Sequence, residues 1–185
     1  YIKCKPSQNN TENLCKYLKL HIKIKKKKNY DLIEVEKVNK IKPLNYKIPS
    51  DISSASFFIV LTALSNNSKL LIKDVNINPS RIGIITILKK MGVNIQFRNK
   101  KNYKGEPVAD ISITSTKKLK AVDCPPSLNS GAIDEFLIIF LVAAKASGVS
   151  YFKDIGELNQ KESPRLKWGA KILNKMGIKT ITTDS

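Results

Sequence analysis

The chain has 185 residues, 42% of them hydrophobic, and a formal charge of +18. That length can bury a sizeable core, whereas the longest apolar run, Phe136 to Ala144, stops at Lys145 and is too short to span a bilayer. Three cysteines without CxxC spacing and a single histidine argue against a zinc site or a disulfide framework, and favour a reducing, cytoplasmic setting.

The charge invites a nucleic-acid partner, but only three of the 33 basic residues are arginines: Arg81, Arg98 and Arg165. Base-reading surfaces lean on the planar arginine fork. Lysine is instead scattered along nearly every segment, and the one dense run, Lys25 to Lys28, reads as a solvated turn. Nucleic acid is therefore disfavoured, and anionic small molecules fit the charge as well. A first residue other than methionine leads us to expect a piece of a longer chain.

In chain order, Asn10 is expected to cap a helix over Thr11–Leu18, followed by a strand over His21–Lys25 and another over Asp31–Val38. His21 reads as a partly exposed strand residue. Asp51, Ser53 and Ser54 are all N-cap types before an apolar helix that ends at Leu64, and Asn66 and Asn67 form a turn. A strand over Leu70–Val75, a helix over Arg81–Met91 stopped by Gly92, and strands over Val93–Phe97 and Val108–Thr114 complete this stretch.

The order then repeats. A helix over Ile133–Ala146 is stopped by Gly148, a strand covers Tyr151–Ile155, and a helix over Arg165–Met176 ends at Gly177 before a strand over Ile178–Thr182. The ends match literally, KKMGVNI at 89–95 against NKMGIKT at 174–180. The chain thus reads as an α/β protein of about two and a half repeats, each about 80 residues long.

Helix starts carry the chemistry. Ser163 is a good N-cap and Pro164 a good first residue, which places Arg165 in the first turn, where the helix dipole disfavours a cation. Lys161 adds a second cation. The pair is unfavourable unless an anion occupies the site. Glu162 can neutralise part of this charge, as a surface salt bridge, or act as a proton carrier whose pKa the cations lower. Arg81 enters the earlier helix without an adjacent acid, so a structural role is expected there. Asp134 and Glu135 lie near the start of the third helix, where capping and a site role stay equally open.

Several blocks together resemble one family. DISSASFF (51–58), INPSRIGI (77–84), GEPVADI (105–111), AIDEF (132–136) and QKESPRL (160–166) follow the order and spacing of 5-enolpyruvylshikimate-3-phosphate synthase of the bacterial type, and NNTENL (9–14) is similar to its NHTEKML block. The resemblance implies repeated βαβαββ units of the enolpyruvyl transferase fold, an inside-out α/β barrel, present here in part. Residues 1–47 would then end the first-half domain, and 48–185 would form most of two units of the second.

The implied reaction moves the enolpyruvyl group of phosphoenolpyruvate to the 5-hydroxyl of shikimate 3-phosphate and releases phosphate, with no cofactor and no metal, in a monomeric enzyme. By match to the KES-x-R motif, Arg165 would bind phosphoenolpyruvate, Glu162 would transfer a proton near its methylene, and Lys161 would face shikimate 3-phosphate. Asp134 would contact the shikimate hydroxyl as a candidate base.

The chain departs from the pattern at Gln8 (arginine in related enzymes), Ser50 (glycine), Leu137 (proline), Asn159 (arginine) and Pro164 (aspartate). The family's early Lys-Ser pair, Asn-Ala-Gly-Thr-like loop, Ser-Ala-Gln segment and late Asp-His-Arg motif are absent, so the chain alone is expected to be inactive. Transfer to UDP-N-acetylglucosamine, or a catalytically decayed basic nucleic-acid-binding scaffold, are the alternatives.

Overall fold

In the computed structural model, residues 1–183 are described; positions 184 and 185, the end of the expected second segment, lie outside the described residues. The first segment runs β1 (Ile2–Cys4), α1 (Asn10–Tyr17), β2 (Ile22–Lys26) and β3 (Asp31–Val35). Its antiparallel sheet has the order β1–β3–β2. In β2, Ile22 and Ile24 are half-buried while Lys23 and Lys25 are exposed, the period of two that a sheet with one wet face requires.

The next unit comprises α2 (Ile52–Leu64), β4 (Lys69–Asn76), α3 (Gly83–Lys90), β5 (Asn94–Tyr103) and β6 (Glu106–Thr114). Its sheet has the order β4–β6–β5 and is antiparallel throughout. This is the topology of the first segment again, strand, helix and then a hairpin whose second strand takes the centre. Ser50 adds an isolated parallel bridge to Val75, which completes a βαβαββ sequence. A tight turn at Lys104 (φ +51°) and Gly105 (φ +88°) joins β5 to β6, two left-handed residues in succession, as a two-residue hairpin turn of this hand requires.

Strand β6 is buried along most of its length because it has neighbours on both edges. Its Asp110 fixes the irregularities of both. One oxygen accepts from the Asp74 amide at 2.9 Å, in the bulge of β4, and the other from the Asn99 side-chain amide at 2.7 Å, in the bulge of β5. These hydrogen bonds hold the Asp110 carboxyl below its ordinary pKa. At the other end of β6, buried Glu106 accepts from Asn13 of α1 (3.1 Å), Asn76 (2.9 Å) and Asn78 (3.2 Å). Asn78 also donates to Asn9 at 2.8 Å. The first segment is therefore joined to the second by a polar network.

The last unit contains β7 (Asp123–Cys124), α4 (Phe136–Lys145), β8 (Tyr151–Phe152) and α5 (Arg165–Lys175), with short 3-10 turns at Pro126–Leu128 and Gly156–Gln160. Strands β7 and β8 pair in parallel over two residues. The core lies between α2, α3, α4 and the central sheet, around Ile59, Ile84, Ile87, Leu88, Ile111, Ile113 and Ile139, all fully buried. Phe136, Phe140 and Phe152 meet in tilted and edge-on pairs with centroids 5.1–6.0 Å apart, a favoured aromatic geometry. Helix α2 is apolar all round, and its outer face leaves Phe57, Phe58 and Leu61 exposed.

Four expectations need correction. Asn9, not Asn10, precedes α1, and its side chain serves the Asn78–Ser80 network rather than a cap. Helix α3 starts at Gly83 and α4 at Phe136, which leaves Arg81, Asp134 and Glu135 in the turns before them. Pro164, not Ser163, occupies the position before α5. The expected strand over Ile178–Thr182 is absent, because no strand lies beside it among the described residues to complete a ladder.

Candidate functional site at the converging helix starts

Asp51 immediately precedes α2, Arg81 lies two residues before α3, Asp134 two before α4, and Arg165 opens α5. All four positions meet. Helix N-termini carry partial positive charge on their free amides, so their convergence favours anions there. A close backbone contact sets the spacing between the middle unit and the last. The Gly83 amide donates to the Gly131 carbonyl at 2.9 Å, and a Cβ on Gly83 would stand 2.6 Å from the Gly131 carbonyl carbon.

The side chains form an alternating line of charge. Arg81 Nη2 lies 3.4 Å from Asp51 Oδ1, and Arg81 Nη1 lies 3.6 Å from Asp134 Oδ2. The second oxygen, Asp134 Oδ1, faces Lys161 Nζ at 3.4 Å and Arg165 Nη1 at 3.5 Å. Arg165 turns its other edge to Glu162 in a two-point pair, Nε to Oε1 at 3.0 Å and Nη2 to Oε2 at 2.8 Å. The repeat explains the symmetry: Asp51 faces Arg81 across the middle unit as Asp134 faces Arg165 across the last.

Depth differs along the line. Arg81 is 18%, Arg165 24% and Lys161 26% exposed, whereas Glu162 is 68% exposed. Glu162 is held below its ordinary pKa chiefly by the Arg165 hydrogen bonds, and Arg165 is raised by the same pair. Burial pushes the Asp51 carboxyl up, but hydrogen bonds from the Ser54 amide and hydroxyl, with the Arg81 charge, outweigh it and leave the group lowered. Beneath them Glu135 is buried, and burial raises it. It accepts a short hydrogen bond from the Ser53 hydroxyl, whose oxygen in turn accepts from Arg81 Nη2 at 2.8 Å.

All four residues expected from the sequence, Asp134, Lys161, Glu162 and Arg165, are brought together. Arg81, Asp51 and Ser53 join them, although each had read as structural. The signal available was the repeat itself, which puts Arg81 at the helix start equivalent to that of Arg165. Capping does not describe the acids before α4, since Glu135 makes no side-chain cap and Asp134 faces three cations. Two departures also acquire an account. Pro164 leaves the start of α5 without a side-chain cap, and Asn159 Oδ1 accepts the Lys167 amide at 3.1 Å in its place. Gln8 lines a cleft of about 500 Å³ with Asn10, Asp51 and Arg81. Among the described residues, no cluster of three or more His, Cys, Asp or Glu side chains is placed to hold a metal, and no helix is long and apolar enough to cross a membrane.

One complete βαβαββ unit flanked by two partial ones, with helix starts that favour anions, defines a repeated α/β scaffold, and comparisons with known proteins specify which. The family model described as EPSP synthase (3-phosphoshikimate 1-carboxyvinyltransferase) matches residues 2–185. The chain is 35% identical over 173 residues to the 3-phosphoshikimate 1-carboxyvinyltransferase of Zymomonas mobilis, covering 94% of this chain and 38% of that protein. It is 40% identical over 174 residues to that of Ruthia magnifica, with 94% and 39% covered. The EPSP synthase structure from Acinetobacter baumannii superposes with a TM-score of 0.85 at 36% identity, over 98% of this chain and 40% of that one. The chain belongs to the EPSP synthase family. It spans about two fifths of the length of these relatives.

Proposed function

We propose that the chain supplies one wall of an enolpyruvyl transferase, in which phosphoenolpyruvate donates its enolpyruvyl group to the 5-hydroxyl of shikimate 3-phosphate and phosphate leaves. One observation carries the reading: a single carboxylate, Asp134, is shared by Lys161, Arg165 and Arg81 where four helix starts meet. Both substrates are phosphorylated anions, and cations already gathered at low exposure can exchange one carboxylate for them without large rearrangement.

The reaction is addition followed by elimination. The methylene carbon gains a proton, the shikimate hydroxyl attacks the adjacent carbon while losing its own, and phosphate departs from the tetrahedral intermediate as the methyl group gives a proton back. We assign the methylene proton to Glu162 and the hydroxyl proton to Asp134. Arg165 takes phosphoenolpyruvate and Lys161 takes shikimate 3-phosphate. As phosphoenolpyruvate draws Arg165 away, Glu162 loses the hydrogen bonds that lower its proton affinity. It then binds a proton more readily, as the first step needs. In this reading residues 1–47 end one domain and 48–185 belong to a second, with the reacting site between them.

A hybrid tests the proposal: this chain replaces the matching two fifths of the Acinetobacter baumannii enzyme. Phosphate release from phosphoenolpyruvate should require shikimate 3-phosphate, fail with UDP-N-acetylglucosamine, and fall about a hundredfold or more for Glu162→Gln, the range for loss of a general acid. A folded hybrid that releases no phosphate would overturn the reading. The isolated chain should show no turnover.

A further inference from the structure

We propose that Arg81 is a positioning residue: it keeps Asp134 aimed and charge-balanced when Lys161 and Arg165 turn to an incoming anion. The inference rests on the transferase reading for the identity of that anion. Its geometric basis is independent. Lys161 and Arg165 both address Asp134 Oδ1, at 3.4 and 3.5 Å, whereas Arg81 alone addresses Oδ2, at 3.6 Å. An anion that recruits the first two therefore empties one oxygen and leaves the other engaged.

Arg81 is also anchored as the other two are not. Its Nη2 donates to Ser53 Oγ at 2.8 Å and lies 3.4 Å from Asp51. The Ser53 hydroxyl has one proton, and it is given to Glu135, so the oxygen faces Arg81 only as an acceptor. Glu135 is 4% exposed and adjoins Asp134 in the chain. The same network thus fixes the backbone that carries Asp134 and the guanidinium that faces its side chain. The Gly83–Gly131 contact sets the distance between the two turns. Among the described residues, Lys161 is by contrast otherwise paired only with Glu157, at 3.9 Å, and Arg165 with exposed Glu162.

The consequence is electrostatic. A carboxylate stripped of all its cations beside a phosphate would repel it and swing away. With Arg81 in place, Asp134 meets the ligand ionised and held. In this role Arg81 stays with Asp134 and does not turn to the ligand, because Nη2 is held by Ser53 and Asp51 while Nη1 faces Asp134.

The test uses nitrogen-15 NMR of the 185-residue chain, whose three arginines make assignment direct. Arg81 should show separate Nη1 and Nη2 signals from restricted rotation, and Asp134→Asn or Ser53→Ala should merge them. A single averaged signal in the wild type would overturn the clamp. On titration with phosphoenolpyruvate, the Arg165 signals should shift and those of Arg81 stay, while equal shifts at both would make Arg81 a ligand contact and sink the proposal. Arg81→Met should weaken phosphoenolpyruvate binding about tenfold, with partial rescue by Arg81→Lys, and change it less than about twofold when Asp134→Asn is already present. Equal losses in both backgrounds would mean that Arg81 does not act through Asp134. Split Arg81 signals with no phosphoenolpyruvate response at Arg165, in the chain and in the hybrid alike, would leave the clamp standing and remove the transferase reading instead.

Discussion

Glu162 grips Arg165 with both carboxylate oxygens, at 3.0 and 2.8 Å, in the first turn of α5. The two-point geometry lowers the Glu162 pKa, so its contribution is complete above the ordinary glutamate range and is lost as pH falls through the lowered folded value. Because the side chain is well exposed, the effect is local. The Arg165 Nε–H resonance should move towards its free position over that acid range in the wild type, and be acid-insensitive in Glu162→Gln. An Arg165 signal that titrates alike in both would contradict the pairing.

Glu135 behaves in the opposite sense. Burial raises its pKa, so the stability tied to its protonated form is present below the ordinary glutamate range and is lost as pH rises through the folded value. Glu135→Gln keeps an acceptor for Ser53 without the buried charge. Urea titrations should therefore place its midpoint above that of the wild type at neutral pH, with the gap closing in acid. No gap at neutral pH would show that the Ser53–Arg81 chain fully compensates the charge.

Asn159→Ala removes a side-chain acceptor from the first turn of α5, the oxygen 3.1 Å from the Lys167 amide. Loss of such a cap costs about 1 kcal/mol. Amide exchange of Lys167 should accelerate by roughly the corresponding fivefold, with little change in α2 or α3. Asn159→Arg should lose the cap equally.

Gly83→Ala would drive a methyl against the backbone of Gly131 at 2.6 Å. Neither backbone can yield cheaply, so a loss of about 1–3 kcal/mol is expected in chemical denaturation. The Arg81–Asp134 approach should lengthen with it, visible as a shift of the Arg81 side-chain signals.

Much of this was legible from the sequence because the fold repeats a unit with strong punctuation. Gly92, Gly148 and Gly177 all take positive φ where the helices were expected to stop, since a residue with no Cβ ends a helix in the left-handed region most easily. Ser54 and Asp51 likewise form the cap that their residue types favour. Strand lengths were less legible. Polar, lysine-rich 98–103 extends β5 through a bulge held by Asp110, a tertiary hydrogen bond with no local signal. The segment after Gly177 has the right residues for a strand but no partner among those described, and pairing rather than propensity decides. In the site, the acids and bases adjacent in sequence were found. Arg81 was underrated because its acids, Asp51 and Asp134, are 30 and 53 positions away.

The Glu106 network has a mechanical consequence. Three asparagine amides, two from one segment's side of the joint and one from α1, close on a single buried carboxyl. Apolar surfaces slide and lose affinity gradually, whereas a carboxyl matched to three donors fits in one pose and leaves several groups bare in any other. The seam between α1 and β6 should therefore act like a keyed latch: seated or released, with no stable half-turn between.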